Sequence, residues 1–234
     1  MHSENEKESS HMMEWIRVGA SSFSHDVDFL ILLIALIVGF WFLLAELTLF
    51  SLIVKFRRRD GIAAAYIAGE RRVEKRWISV PHLLIIVCDI VILASSFRVW
   101  SAIKQDLPPA DEAIRVIGQQ WSWRCVQAGA DRQLGTDDDI ETVDELHLRV
   151  GTLYHFQLEA SDVLQSFWGP SFRLKQDAVP GRMITGWFKP TQTGTFDIPC
   201  AQMCGIGHGI MMGQLVVQSA ADYQQWVQQH TPEP

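Results

Sequence analysis

Pro199-Cys200-Ala201-Gln202-Met203-Cys204-Gly205-Ile206-Gly207-His208-Gly209-Ile210-Met211-Met212-Gly213 places two thiols, an imidazole and a thioether within one glycine-rich loop. Gly205, Gly207 and Gly209 permit sharp backbone turns, so side chains that would diverge along a strand can meet at one point. Thiolate, imidazole and thioether together suit copper, since soft sulfur favours the monovalent ion and imidazole accepts either valence. Zinc fits less well, because it rarely needs a thioether and usually completes its shell with Cys, His or carboxylate. A structural disulfide between Cys200 and Cys204 is the other reading, but it leaves His208 and Met211 unexplained.

Outward from this loop, the sequence reads as short strands broken by Gly, Pro and Asp. The candidates are residues 113–117, 121–126, 145–150, 154–158, 183–188, 194–198 and 214–217. Leu146, Leu148 and Val150 alternate with His147 and Arg149, as a strand with one wet face requires. These strands predict an antiparallel sandwich or barrel, followed by a terminal helix over residues 220–229.

Upstream the composition changes. Residues 29–45 carry no charge, and after Glu46 the apolar run resumes to Val54, long enough to cross a hydrocarbon core of about 30 Å. A second run, residues 77–100, is apolar except for Asp89 and ends in Phe97, Arg98 and Trp100, an interfacial mixture of aromatics and a cation. Between them, Lys55, Arg57, Arg58, Arg59, Arg71, Arg72, Lys75 and Arg76 face only Asp60, Glu70 and Glu74, so this loop belongs inside and both termini outside. The expected organisation is a mobile polar tail over residues 1–25 without a cleaved leader, a transmembrane hairpin over 26–103 and an exported domain over 104–234. The exported part holds nine Lys and Arg against sixteen Asp and Glu, which favours a basic partner over nucleic acid.

Cys-x3-Cys-x3-His-x2-Met after a strand occurs together with Ser161-Asp162-Val163-Leu164, the segment Leu174-Lys175-Gln176-Asp177-Ala178-Val179-Pro180-Gly181-Arg182, and Gln120-Trp121-Ser122-Trp123. This combination resembles subunit II of cytochrome c oxidase, from about Phe29 to Tyr223. The resemblance implies a cupredoxin-like Greek-key barrel behind a two-helix anchor in a bacterial-type inner membrane, with the N-terminus and the C-terminal domain on the periplasmic side. It implies a binuclear copper centre, with haem in the partner subunit only and no catalytic residue in this chain. Cys200 and Cys204 would bridge two coppers, with His208 and the Gln202 carbonyl completing one and Met211 binding the other.

Two positions depart from the family. The second copper also needs a histidine after Asp-Val-Leu, and here that position is Gln165, a weak neutral oxygen donor. The readings left open are a distorted binuclear site, a single copper, or none, with His155 as a remote substitute. Position 202 is often a magnesium-holding glutamate, and Gln202 removes that charge, so no magnesium is expected.

Further roles follow from the resemblance. Trp121 matches the tryptophan through which electrons enter from cytochrome c. Asp137, Asp138, Asp139, Glu141, Asp144 and Glu145 form an acidic stretch that would steer a basic donor, while Asp131, Asp137 and Asp139 amid Gly129 and Gly135 offer an alternative calcium reading. Glu46 and Asp89 inside the spans call for packing against a larger haem-copper catalytic membrane subunit. Glu74 matches a glutamate near the mouth of a proton channel, or simply offsets the neighbouring arginines. The expected function is electron-entry subunit of a terminal oxidase. The alternatives are the second subunit of a nitric oxide reductase and a structural subunit of quinol-oxidase type with a degenerate copper site.

Overall fold

The computed structural model describes residues 18–63 and 67–232, arranged as two compact units, residues 26–101 and the remainder. In the first unit, helix α1 (Ser24–Lys55) and helix α2 (Arg72–Lys104) extend the apolar runs at both ends. Asp26 and Glu74 occupy the first turns and Lys55 and Lys104 the last, each charge opposing the local end of the helix dipole. At 32 and 33 residues, each helix is longer than a bilayer core requires. Leu36, Phe40, Leu47, Leu83 and Ile90 are exposed, as is most of this apolar surface, which calls for cover by lipid or another subunit. The Trp41 indole N–H points to Cys88 Sγ at 3.5 Å, and Glu46 and Asp89 are both exposed.

Among the described residues, the second unit is a β-domain of ten strands and a closing helix. A five-stranded sheet runs in the order β3 (Ile140–Val143), β2 (Ser122–Gln127), β1 (Glu112–Gln119), β5 (Tyr154–Ala160), β8 (Ile184–Phe188). A three-stranded sheet comprises β4 (Glu145–Arg149), β10 (Met212–Gln218) and β9 (Gly194–Pro199), and β6 (Gln165–Gly169) with β7 (Leu174–Ala178) forms a separate ribbon. Inward positions follow the strand period: Tyr154, Phe156, Leu158 and Ala160 from β5 and Leu215 and Val217 from β10 are buried. Trp123 stands edge-on to Phe167, with ring centroids 5.4 Å apart, tying the ribbon to the main sheet. Helix α3 (Ala220–His230) starts at Ser219, whose hydroxyl accepts the Asp222 N–H, and its Trp226 stacks on His147 at 4.1 Å.

Three differences from the sequence expectation have local causes. The sandwich is not purely antiparallel: β1 runs parallel to β5 and β10 parallel to β4. Both parallel pairs join strands distant in sequence, which no local turn could reveal. Strands β3, β6 and β7 also went unread, because β3 has four residues, β6 begins with Gln-Ser, and β7 is mostly polar. Lastly, within the expected tail, residues 1–17 lie outside the described residues, but residues 20–24 are docked and not loose. Ala20 N–H donates to Ser171 O at 2.6 Å, Thr191 N–H to Ala20 O at 2.9 Å, and the buried Ser21 hydroxyl to Phe172 O at 2.7 Å. Phe23 is buried with its ring edge-on to Trp187.

Candidate metal centre

Strand β9 ends at Pro199 and delivers Cys200, a 3-10 helix over Ile206–Ile210 carries His208, and β10 begins immediately after Met211. The two ends of the loop are clamped, since Met212 pairs with Pro199 and Cys200 N–H donates to Met211 O at 3.1 Å. Its near arm is fixed from β6: Ala201 N–H donates to Ser166 O at 3.0 Å and Phe167 bridges Cys200. Its apex is held from the β1–β2 turn, where Gln120 Nε2 and Trp121 Nε1 both donate to Cys204 O, at 2.8 and 3.3 Å. Gly205, at φ +120°, adopts a conformation open mainly to glycine.

These clamps leave the sulfurs and the imidazole facing one another. Cys204 Sγ lies 3.8 Å from Cys200 Sγ, 3.7 Å from His208 Nδ1 and 3.9 Å from Met211 Sδ. Two thiolates at about 2.3 Å from one tetrahedral ion would stand about 3.8 Å apart, whereas a disulfide needs about 2.05 Å. Both cysteines are unbridged, and Cys200, Cys204 and His208 form a group able to hold a metal ion. The Gln202 carbonyl lies 3.2 Å from Cys200 Sγ and joins the same cluster. Burial, reinforced by the Cys200 thiol beside it, pushes the Cys204 thiol up to about 11, so metal binding has to release that proton.

Gln165 occupies the place where the resemblance expects histidine. It is fully buried on β6, and neither its amide nitrogen nor its amide oxygen has a hydrogen-bond partner. His155 does not substitute for it, because its Nε2 is bonded to Pro108 O at 2.7 Å. Cys125 is buried within β2, where burial first and Asp144 second raise its thiol to about 12.

Trp121 is 41% exposed, yet its ring lies so close over the loop that a Cβ at Gly207 would collide with it. It therefore joins solvent to the carbonyl of a cage residue. Sequence reasoning missed the other supports. Gln120 and Ser166 act through tertiary hydrogen bonds, and Asp162, whose Oδ2 accepts the Gln120 N–H at 2.7 Å, holds the turn that carries Trp121. Glu74 is held at the start of α2, its Oε2 accepting the Arg71 N–H at 3.2 Å.

The acidic stretch is not gathered around Trp121. Strand β2 pairs with β3 so that Gln127 faces Ile140 and Arg124 faces Val143, which puts Asp137, Asp138 and Asp139 beyond the far end of β2, about 20 Å along the strand from Trp121. Only Asp144 and Glu145 follow β3 back toward Trp123, and Asp144 Oδ1 accepts the Trp123 N–H at 2.7 Å. The loop carboxylates are engaged locally. Asp131 Oδ1 accepts from Gln133 N–H, Asp138 Oδ2 from Asp131 N–H and Asp139 Oδ2 from Gly135 N–H.

The family described as the periplasmic domain of cytochrome c oxidase subunit II matches residues 112–220. Over 216 residues the chain is 32% identical to an alternative cytochrome c oxidase subunit 2 of Bradyrhizobium diazoefficiens, covering 82% of this chain and 76% of that one. It is 40% identical over 121 residues to a cytochrome c oxidase subunit 2 of Thermostichus vulcanus, covering 51% of this chain and 34% of that one. Among solved structures, the periplasmic domain of subunit II of a Bradyrhizobium japonicum cytochrome oxidase aligns with TM-score 0.48 at 26% identity, covering 53% of this chain and 96% of that one.

Proposed function

Since the chain belongs to the cytochrome c oxidase subunit II family, we infer that it is the electron-entry subunit of a membrane haem-copper oxidoreductase, not catalytic alone. The observation that carries this is the convergence of Cys200, Cys204, His208 and Met211 at one end of the β-domain. Copper bound there supplies a one-electron carrier. Cys200 and Cys204 as thiolates, with His208, Met211 and the Gln202 carbonyl, would hold it. The same convergence argues against a purely structural, quinol-oxidase-type subunit, which has no use for a thiolate cage.

Trp121 is the surface at which cytochrome c or a similar donor would deliver electrons, because it is half-exposed and hydrogen-bonded to a cage residue. The haem-copper catalytic membrane subunit would receive them and would cover the exposed Glu46 and Asp89, whose charges are costly in lipid. Glu74 would then face the cytoplasmic mouth of a proton path in that subunit. The N-terminal segment and the β-domain would both lie on the periplasmic side, supported by the basic loop between the helices and by the docking of residues 20–24 on the domain.

The test uses the full-length chain in detergent. It should bind copper, accept electrons from reduced cytochrome c more slowly as salt rises, and lose both properties in Cys200→Ser and Cys204→Ser. A wild-type chain that takes up no copper, or serine variants that take up as much as wild type, would overturn the reading.

A further inference from the structure

Gln165 is an anomaly on energetic grounds, since a fully buried amide with both polar atoms unpaired costs stability and is rarely retained without a partner of some kind. Its position is informative. The next residue, Ser166, accepts the Ala201 N–H, and Phe167 bridges Cys200, so β6 runs beside the Cys200 arm of the loop. On the other side its Oε1 lies against Gly118 so closely that any side chain there would collide with it. Gly118 is in turn two residues before Gln120, which grips the Cys204 carbonyl. Gln165 is thus next in sequence to one support of the loop, and its amide lies against the strand that leads to the other.

Resting on the electron-transfer reading above, we propose that the Gln165 amide oxygen is the ligand that, together with Met211, holds the second copper of a binuclear centre, and that Gly118 is the positioning residue that makes room for it. A neutral oxygen donor grips copper less tightly than imidazole, so the two coppers bind with unequal affinity. In the metal-free protein the amide is a defect, and the metal supplies its missing partner. Stability and metal loading therefore oppose each other at this residue.

The experiment titrates copper into the full-length chain in detergent, reading metal per chain and the electron spin resonance spectrum, with thermal melts of the metal-free forms. Wild type should load two coppers sharing one unpaired electron, the second at least tenfold more weakly than the first. Gln165→Leu should load one copper with a mononuclear spectrum, yet melt about 3 °C higher than wild type when metal-free, because it removes an unpaired polar group. Gly118→Ala should also load one copper but melt lower, since its Cβ displaces the amide. Gln165→His should tighten the second copper at least tenfold. Two coppers in Gln165→Leu, or a single mononuclear copper in wild type, would overturn the proposal. A single copper that disappears in Cys204→Ser would leave the electron-transfer reading standing, whereas no copper in wild type would remove both.

Discussion

Two glycine-containing loops of the β-domain carry ligand-type side chains in similar density, and they use them in opposite ways. In the 200–212 loop, backbone groups are satisfied from outside: Ser166 O, Gln120 Nε2 and Trp121 Nε1 come from other elements. The sulfurs and the imidazole are left facing one another. In the 129–139 loop the hydrogen bonds among the described residues come from the loop itself. Asp138 and Asp139 spend carboxylate oxygens on N–H groups of their own loop, and Thr136 Oγ1 donates to Asp138 Oδ1 at 2.6 Å. Side chains become available to a ligand when the rest of the fold takes over the backbone accounting that a loop otherwise does for itself.

That contrast can be broken most severely at Gly207. A methyl group there would collide with the Trp121 ring, so Gly207→Ala should destabilise the metal-free chain by about 1–3 kcal/mol, seen as a lower denaturant midpoint with a shifted Trp emission. Reduction by the donor should slow even where copper loading survives. An unchanged midpoint and emission would mean that Trp121 does not rest on the loop.

A smaller effect is expected at Gln120, one of the two side-chain donors on the Cys204 carbonyl. Gln120→Leu should cost about 1 kcal/mol and weaken copper binding by about fivefold in competition titrations. Equal affinity would show that the loop is preorganised without this outside donor.

The smallest effect belongs to Asp138. The Thr136 hydroxyl, then the backbone N–H of Asp131, hold its carboxyl below the usual carboxylate range. A depressed folded-state value means that its contribution to loop order is present at neutral pH and is lost as pH falls through that lowered value. Amide exchange at Asp131, corrected for intrinsic rates, should therefore accelerate on acidification, and Asp138→Ala should reproduce the acceleration at neutral pH without altering copper loading. Faster exchange accompanied by lost copper would couple the two loops and undo the comparison.

Much of the architecture was legible because it depends on local pattern. The uncharged run of residues 29–45 identified α1, a run apolar except for Asp89 identified α2, alternation identified β4, and the donor types and spacing of Cys200, Cys204, His208 and Met211 marked a candidate metal site. Sequence also singled out Gln165 as a departure. What only the tertiary structure decided was which groups already had partners: β1 beside β5 in parallel, Asp138 turned inward on its own loop, His155 engaged by Pro108, and Gln165 buried with nothing to bond. Residue type fixes what a side chain is able to bind. Whether it is still available depends on hydrogen bonds from residues distant in the chain, and those exist only after folding brings the segments together.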